Sequence, residues 1–498
     1  MRDDAPLSQR ADPAETATDP TDADTTGRPG RAAAVVVGGG LAGITSALAL
    51  ADAGLRVTLL EGRPRLGGLA FSFQRGNLSV DNGQHVYLRC CTAYQWFLDR
   101  IAATDLAPLQ RRLDVPVLDV AASRGPRLGR LRRTALPVPL HLAQSLTTYP
   151  HLSLAERAKV GRAALALGRL DLTDPALDRQ DFASWLARQG QSARAIEALW
   201  DLVGVATLNA RAGDASLGLA AMVFKTGLLS APGAADIGWA QVPLGDIHDT
   251  LARKALDAAG VRTELRTRVT SVARTPDSAP GSRSGNSLMK NGHWTVEVPG
   301  ERIETDIVVL AVPQREAHAL LPSGAVADPD RFLRIDTAPI LNVHVQYDRT
   351  VLKRPFFAVL GSPVQWVFDR TRASGLTDGQ YLALSQSAAQ DEIDEPVAKL
   401  RARYLPELEK LLPAARDARV RDFFVTRERT ATFAPTPGVG ALRPGARTEA
   451  PGLYLAGAWT ATGWPATMEG AVRSGTSAAR AALTALGRPG GHLFEEAA

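Results

Sequence analysis

Residues 32–37 read Ala-Ala-Ala-Val-Val-Val, an unbroken run of small and β-branched side chains. Such a run predicts a strand buried on both faces. Leu41, Ile44 and Leu48 then recur at helical spacing until Gly54 ends the helix, and Arg56–Glu61 predicts a second, parallel strand. Between the first strand and the helix stand Gly38, Gly40 and Gly43, the three positions of a G-x-G-x-x-G turn. Glycines there permit a tight turn and leave a bare backbone at the helix N-terminus, where a pyrophosphate can rest on free N–H groups. Glu61, at the end of the second strand, is placed to accept from a ribose hydroxyl. Leu41 and Ala42 would add the first N–H groups of the helix.

Farther along, Phe73–Val80 predicts a strand pair around Gly76-Asn77, and Tyr87–Ile101 predicts a helix. Ala155–Leu170 and Phe182–Arg188 also read as helices, and Ala195–Leu229 continues helical in small and apolar residues. Leu251–Gly260 predicts a helix, Val261–Val272 a strand, and 275–292 a Ser/Gly/Pro-rich loop. Thr305–Pro313 is a returning strand. Alternation at Leu341–Tyr347, Val364–Asp369 and Tyr381–Ser385 predicts further strands, followed by a charged helix near Asp394–Leu412. Leu453–Ala456 predicts a last strand and Met468–Leu483 a last helix.

A chain of 498 residues with 45% hydrophobic side chains has material for more than one domain. Residues 1–30 carry seven acids and three arginines among Thr, Ala and Pro. They cannot bury a core and predict a disordered tail. The rest is mildly basic, which suits an anionic cofactor or a membrane surface; the charge is diffuse, and no nucleic-acid-reading motif accompanies it. Cys90 and Cys91 are adjacent and offer no disulfide framework, which fits a reducing, cytoplasmic setting. No metal-ligand spacing stands out, no apolar run reaches 18 residues, and the N-terminus lacks the pattern of a signal peptide.

The glycine turn continues past Glu61 into Arg65-x-Gly67-Gly68 and Ser72. That extended pattern, with Gly457 and Thr467-Met468 opening the last helix, resembles the FAD-binding flavoproteins that include amine oxidases and carotenoid desaturases. The resemblance implies FAD as the cofactor, Val269 against the adenine, and the last helix directing its N-terminus at the flavin. It also implies an α/β fold: a doubly wound, Rossmann-like FAD domain in three segments (31–110, 235–317, 448–486). An α+β substrate domain is inserted twice (a helical 111–234, then 318–447), with a short tail at 487–498. Many members carry an acid where this chain has Ala458, so a hydrogen bond to the ribityl chain is expected to be missing.

The run Asp81-Asn82-Gly83-Gln84-His85, with Cys-Cys-Thr-Ala-Tyr after it, resembles the hydroxysqualene dehydroxylase branch of that family. This implies reductive removal of an allylic hydroxyl from a polyprenyl substrate. Such chemistry needs a proton for the leaving oxygen and a dry site. His85 and Glu469 are the candidate catalytic acids. His85 could equally be a hydrogen-bonded loop residue, and Glu469 a structural one near the helix N-terminus. Lys225 could lie near the flavin or be a surface lysine. Arginines and leucines interleaved from Arg124 to Leu146, among them Arg130, Arg132 and Arg133, fit either a peripheral membrane contact or an exposed basic hairpin. The rival readings are an amine oxidase, a carotenoid-type desaturase and a flavin-binding scaffold without turnover. No motif names the electron donor.

Overall fold

The computed structural model describes residues 32–122, 125–275 and 293–488. The proposed N-terminal tail, Arg124, nearly all of the 275–292 loop and most of the C-terminal tail lie outside them.

Five parallel strands form the first sheet: β1 (Ala33–Val37), β2 (Arg56–Glu61), β3 (Arg262–Leu265), β4 (Ile307–Leu310) and β5 (Leu453–Leu455). Their order across the sheet is β5-β4-β1-β2-β3. The winding reverses at β1, so the crevice for a ligand opens at the carboxyl end of that strand. Helix α1 (Leu41–Asp52) leaves this end. It packs beside α3 (Met468–Ala485), contributed from the far end of the chain. A Cβ added at Gly475 would overlap the carbonyl of Ala42, so the two helices touch backbone to backbone. Ser46 Oγ donates to Ala42 O and Gly475 O across the same contact.

A second sheet has seven strands, in the order Val420–Phe433, Thr337–Tyr347, Gln380–Ser387, Trp366–Asp369, Phe356–Leu360, Asp114–Asp119, Arg127–Arg132. The pleat gives it two faces. Leu341, Val343, Leu382, Leu384 and Val367 pack on the helix Val397–Leu411 through Leu400, Tyr404 and Leu408. The other face carries three cross-strand rows: Glu428–Ile340–Ser387, Thr426–Asn342–Ser385–Trp366, and Phe424–His344–Ala383–Phe368–Phe356.

Four expectations change. The segment 111–234 is not purely helical, because Asp114–Asp119 and Arg127–Arg132 form the edge of this second sheet. The helix expected from Tyr87 begins later: Val86–Leu88 pairs with Ile237–Trp239 as a strand, and α2 runs Thr92–Arg100. Tertiary pairing overrides local periodicity there. The strand expected over Val261–Val272 breaks at Arg266, whose φ of 57° is left-handed. Arg266 and Thr267 donate instead to Arg63 O and Glu61 O at the end of β2. Helical structure over 195–229 is interrupted at Asn209, also left-handed, whose amide bonds Ala338 O and Thr432 Oγ1 of the second sheet.

Candidate active site

The glycines after β1 divide into two kinds. A Cβ at Gly43 would fall inside the radius of Gly38 O, and one at Gly38, where φ is 107°, would meet Ala311 O just beyond β4. These two glycines make the turn possible. Gly40 differs: its nearest neighbour in the Cβ direction is Gly68 Cα, 3.8 Å away. Gly40 therefore leaves room for something other than protein. Helix α1 begins there with no side-chain cap and no acid in its first turn. The first N–H groups, at Leu41, Ala42 and Gly43, are thus left for an anion. This bare, uncapped cradle fits the pyrophosphate of a dinucleotide.

Glu61 closes one side. Its Oε2 accepts from Gly39 N–H at 2.6 Å and its Oε1 from Arg63 N–H at 2.7 Å. Each oxygen keeps a further lone pair for a hydroxyl donor. Val269 is buried in the segment that docks on the end of β2 through Thr267. Gly67 and Gly68, both at positive φ, fold back over Gly40, with Gly67 N–H donating to Gly39 O at 2.9 Å. Arg65 shapes that turn: its guanidinium donates to Leu66 O and Gly68 O and lies 3.3 Å over the Phe71 ring. Burial draws its pKa down to about 10, which leaves it charged at neutral pH.

On the far side of β1, Gly457 (φ 134°) follows β5 and donates to Ser474 Oγ at 2.8 Å. Thr467 caps α3, its Oγ1 accepting from Gly470 N–H at 3.0 Å, and Met468 opens the helix. The loop between is held from within by Arg443, a buried residue. It donates to the carbonyls of Ala458, Trp459, Thr460 and Trp464 and has no carboxylate partner among the described residues. Burial lowers its pKa to about 10. Nothing in the sequence marked Arg443, because the carbonyls it gathers converge only in the fold.

The two candidate acids occupy different settings. Glu469 is buried, and its oxygens accept from Ala93 N–H (3.1 Å) and Tyr94 N–H (2.7 Å) in the first turn of α2. Arg473 pairs with it at 2.6 Å. Burial raises its pKa, against the pull of Arg473 and the two N–H groups. Glu469 thus caps one helix from the start of another. His85 Nδ1 bonds Gly83 O at 2.9 Å. A carbonyl only accepts, so Nδ1 carries the proton and Nε2 is the exchangeable site. Burial lowers the His85 pKa, while Gly83 O and the charges of Asp81 and Glu428 oppose that shift.

The residues before His85 join the two sheets. Asn82 Oδ1 accepts from Phe71 N–H and its Nδ2 donates to Leu69 O and to Glu428 Oε1, at 2.9–3.1 Å. Its carbonyl accepts from Asn342 Nδ2 and Thr426 Oγ1 of the second sheet. Asp81 accepts from Ser72 Oγ, Leu244 N–H and Arg370, the last in a buried pair at 2.7 Å. Beside them a cleft is lined by Ser79, Gln84, His344, Arg370, Ser374 and Tyr381. Arg370 and Glu428 each sit alone on or beside a strand without a motif. Only an inward-facing charge in the alternation could have flagged them, and a one-residue slip reverses that sign.

Lys225 is not near this site by any bond it makes: Nζ donates to Leu170 O at 2.7 Å. Among the described residues no cluster of His, Cys, Asp or Glu could hold a metal ion.

A reversed-winding parallel sheet, an uncapped glycine cradle and a second helix returning from the chain's end define a dinucleotide-binding flavoprotein. The chain belongs to the flavin-containing amine oxidoreductase family, whose model matches residues 41–483. It is an FAD-dependent oxidoreductase with a Rossmann-like FAD-binding domain and an α+β substrate domain. It is 30% identical to a hydroxysqualene dehydroxylase from Rhodopseudomonas palustris, over 90% of this chain and 98% of that protein. It is 23% identical to a probable zeta-carotene desaturase from Synechococcus elongatus, over the same shares of the two chains. Its fold resembles cyclohexylamine oxidase from Brevibacterium oxydans, with a TM-score of 0.67 at 18% identity, covering 92% of this chain and all of that one.

Proposed function

We propose that the protein removes an allylic hydroxyl reductively from a polyprenyl alcohol, converting hydroxysqualene to squalene. The observation that carries this reading is the composition of one face of the second sheet. One end is polar (Glu428, Thr426, Asn342, Ser385) and the other aromatic (Trp366, Phe368 and Phe356, with Trp239 at 5.4 Å from Phe356). A long hydrocarbon with one polar carbon matches such a surface better than a small amine does. The similarity to hydroxysqualene dehydroxylase supports the same substrate class.

FAD would be held by Gly38, Gly40, Leu41, Ala42 and Gly43 at the pyrophosphate and Glu61 at the ribose. Val269 would meet the adenine. Arg65, Gly67, Gly68, Gly457, Thr467 and Met468 would frame the rest. Reduced FAD supplies the two electrons and the hydrogen that replace the hydroxyl. The protein's own residues supply the rest. His85, neutral at rest on Nδ1–H, delivers a proton through Nε2 once that nitrogen is charged, and the hydroxyl leaves as water. A low pKa makes the imidazolium a stronger acid, though a scarcer one. Aromatic side chains keep bulk water from the carbon. Glu469 acts structurally, holding α2 against α3. A peripheral membrane contact is supported by exposed Leu128, Leu136, Leu140, Leu154 and Leu165 on neighbouring elements. The basic residues carry less of it, since Arg130 and Arg132 pair with Asp114 and Arg133 with Asp236.

Anaerobic incubation of the reduced holoprotein with hydroxysqualene should yield squalene and return the flavin spectrum to the oxidised form. Reduced flavin that persists, with no squalene formed, overturns the reading. Oxidation of a carotene precursor by the oxidised protein instead would favour the desaturase alternative, which the similarity to zeta-carotene desaturase keeps in view.

A further inference from the structure

Glu428 is half-buried on the site-facing side of the second sheet. One oxygen, Oε1, is fixed by Asn82 Nδ2 at 3.1 Å. Asn82 is itself bonded to Leu69 O and Phe71 N–H, in the chain that follows the Gly67-Gly68 turn, and to Asn342 and Thr426. The carboxylate is therefore held at a set distance from the diglycine turn by a chain of hydrogen bonds. Among the described residues no Lys, Arg or His comes within ion-pair distance of it, although Arg65 and His85 both feel its charge. A half-buried carboxylate with one oxygen bonded to a neutral amide keeps acceptor capacity on the other for a positive group that comes beside it.

We propose that Glu428 is a further catalytic residue of this site: its carboxylate lies against the carbon that becomes positive as the C–O bond of an allylic alcohol breaks. This deepens the dehydroxylation reading and rests on it. The leaving oxygen takes a proton and departs as water with both electrons of the C–O bond. The carbon left behind is an allylic cation, its charge spread over three carbons. Bound reduced FAD would supply the hydrogen and two electrons that neutralise it, and the carboxylate would be returned unchanged. An anion pre-positioned where positive charge develops, in a site that excludes water, lowers the barrier by electrostatic preorganisation. The substrate class follows: alcohols that ionise to stabilised cations are accepted, and saturated analogues are not.

The test uses the holoprotein and three ligands. Glu428→Gln keeps an acceptor for Asn82 and should keep FAD content and thermal midpoint. Reoxidation of its reduced flavin by hydroxysqualene in a single turnover should be at least about 100-fold slower. A polyprenyl chain ending in an allylic dimethylammonium should bind wild type at least about tenfold more tightly than it binds Glu428→Gln. The neutral polyprenyl alcohol should bind both alike. Glu428→Asp, which keeps the charge, should retain the preference for the ammonium. Equal rates and equal ammonium affinity in wild type and Glu428→Gln overturn the proposal, as does loss of the preference in Glu428→Asp. Failure of wild type to turn over hydroxysqualene is a different outcome: it overturns the dehydroxylation reading, and the proposal with it. The ammonium comparison would still report whether Glu428 faces the ligand.

Discussion

Arg370 and Asp81 form an ion pair of 2.7 Å in which both side chains are more than 90% buried. Arg370 also donates to Ala240 O and Val242 O, so one guanidinium ties the second sheet to two separate stretches beside the first. Arg370→Met should destabilise the protein by about 3–5 kcal/mol, because it strands a buried carboxylate. Chemical denaturation of the holoprotein measures this. A loss below about 1 kcal/mol would show that Asp81 finds water or another donor.

The two kinds of glycine in the β1–α1 turn give separable phenotypes. Gly40→Ala should leave the apoprotein's thermal midpoint unchanged, since nothing in the protein lies within 3.8 Å of the new methyl. It should nevertheless weaken FAD binding, and Gly40→Glu should abolish it. Gly43→Ala should lower the midpoint of the apoprotein itself, because its methyl meets Gly38 O. Calorimetry of apoprotein and FAD titration distinguish the two; equal stability losses in both variants would mean that Gly40 faces protein.

His248 and His344 are fully buried and bond Tyr94 and Tyr381 respectively. Burial lowers their pKa values to about 4 and about 3. An unfolded histidine near 6.5 binds a proton that the folded one refuses. The stability they contribute is thus fully present above pH 6.5. It is lost as pH falls through 6.5 toward 4 and 3. For His248 alone the loss is about 3 kcal/mol. His248→Gln should flatten the stability profile between pH 6.5 and 4 by up to one proton. An unchanged slope in urea melts across that window would refute the assignment.

Several leucines are exposed on and around the helix Leu154–Gly168, with Leu154 at 78% and Leu140 at 53% exposure. Replacing Leu136, Leu140 and Leu154 together by Ser should reduce co-sedimentation with anionic vesicles severalfold and leave the thermal midpoint within about 1 °C. Wild type that does not sediment with vesicles would remove the membrane contact from the account.

The sequence alone determined the β1–α1–β2 unit, its uncapped glycine turn and the last strand and helix of the chain. Those depend on short-range rules: a buried strand needs an apolar run, a tight turn needs glycine, and an anion needs uncapped N–H groups. Positions such as Gly40, Glu61 and Gly68 are legible because a few neighbours in sequence dictate the backbone there. Tertiary structure decided what lies opposite. Whether Val86–Leu88 is strand or helix depended on Ile237–Trp239, and the break at Arg266 on carbonyls of β2. Glu469 became the cap of α2 only because α3 docks there. Glu428 meets Asn82, and Arg370 meets Asp81, across hundreds of residues of chain, each bond being a long-range closure with no local signature. The polar and aromatic ends of the second sheet's site-facing side arise from the register of five strands, a property no single strand contains.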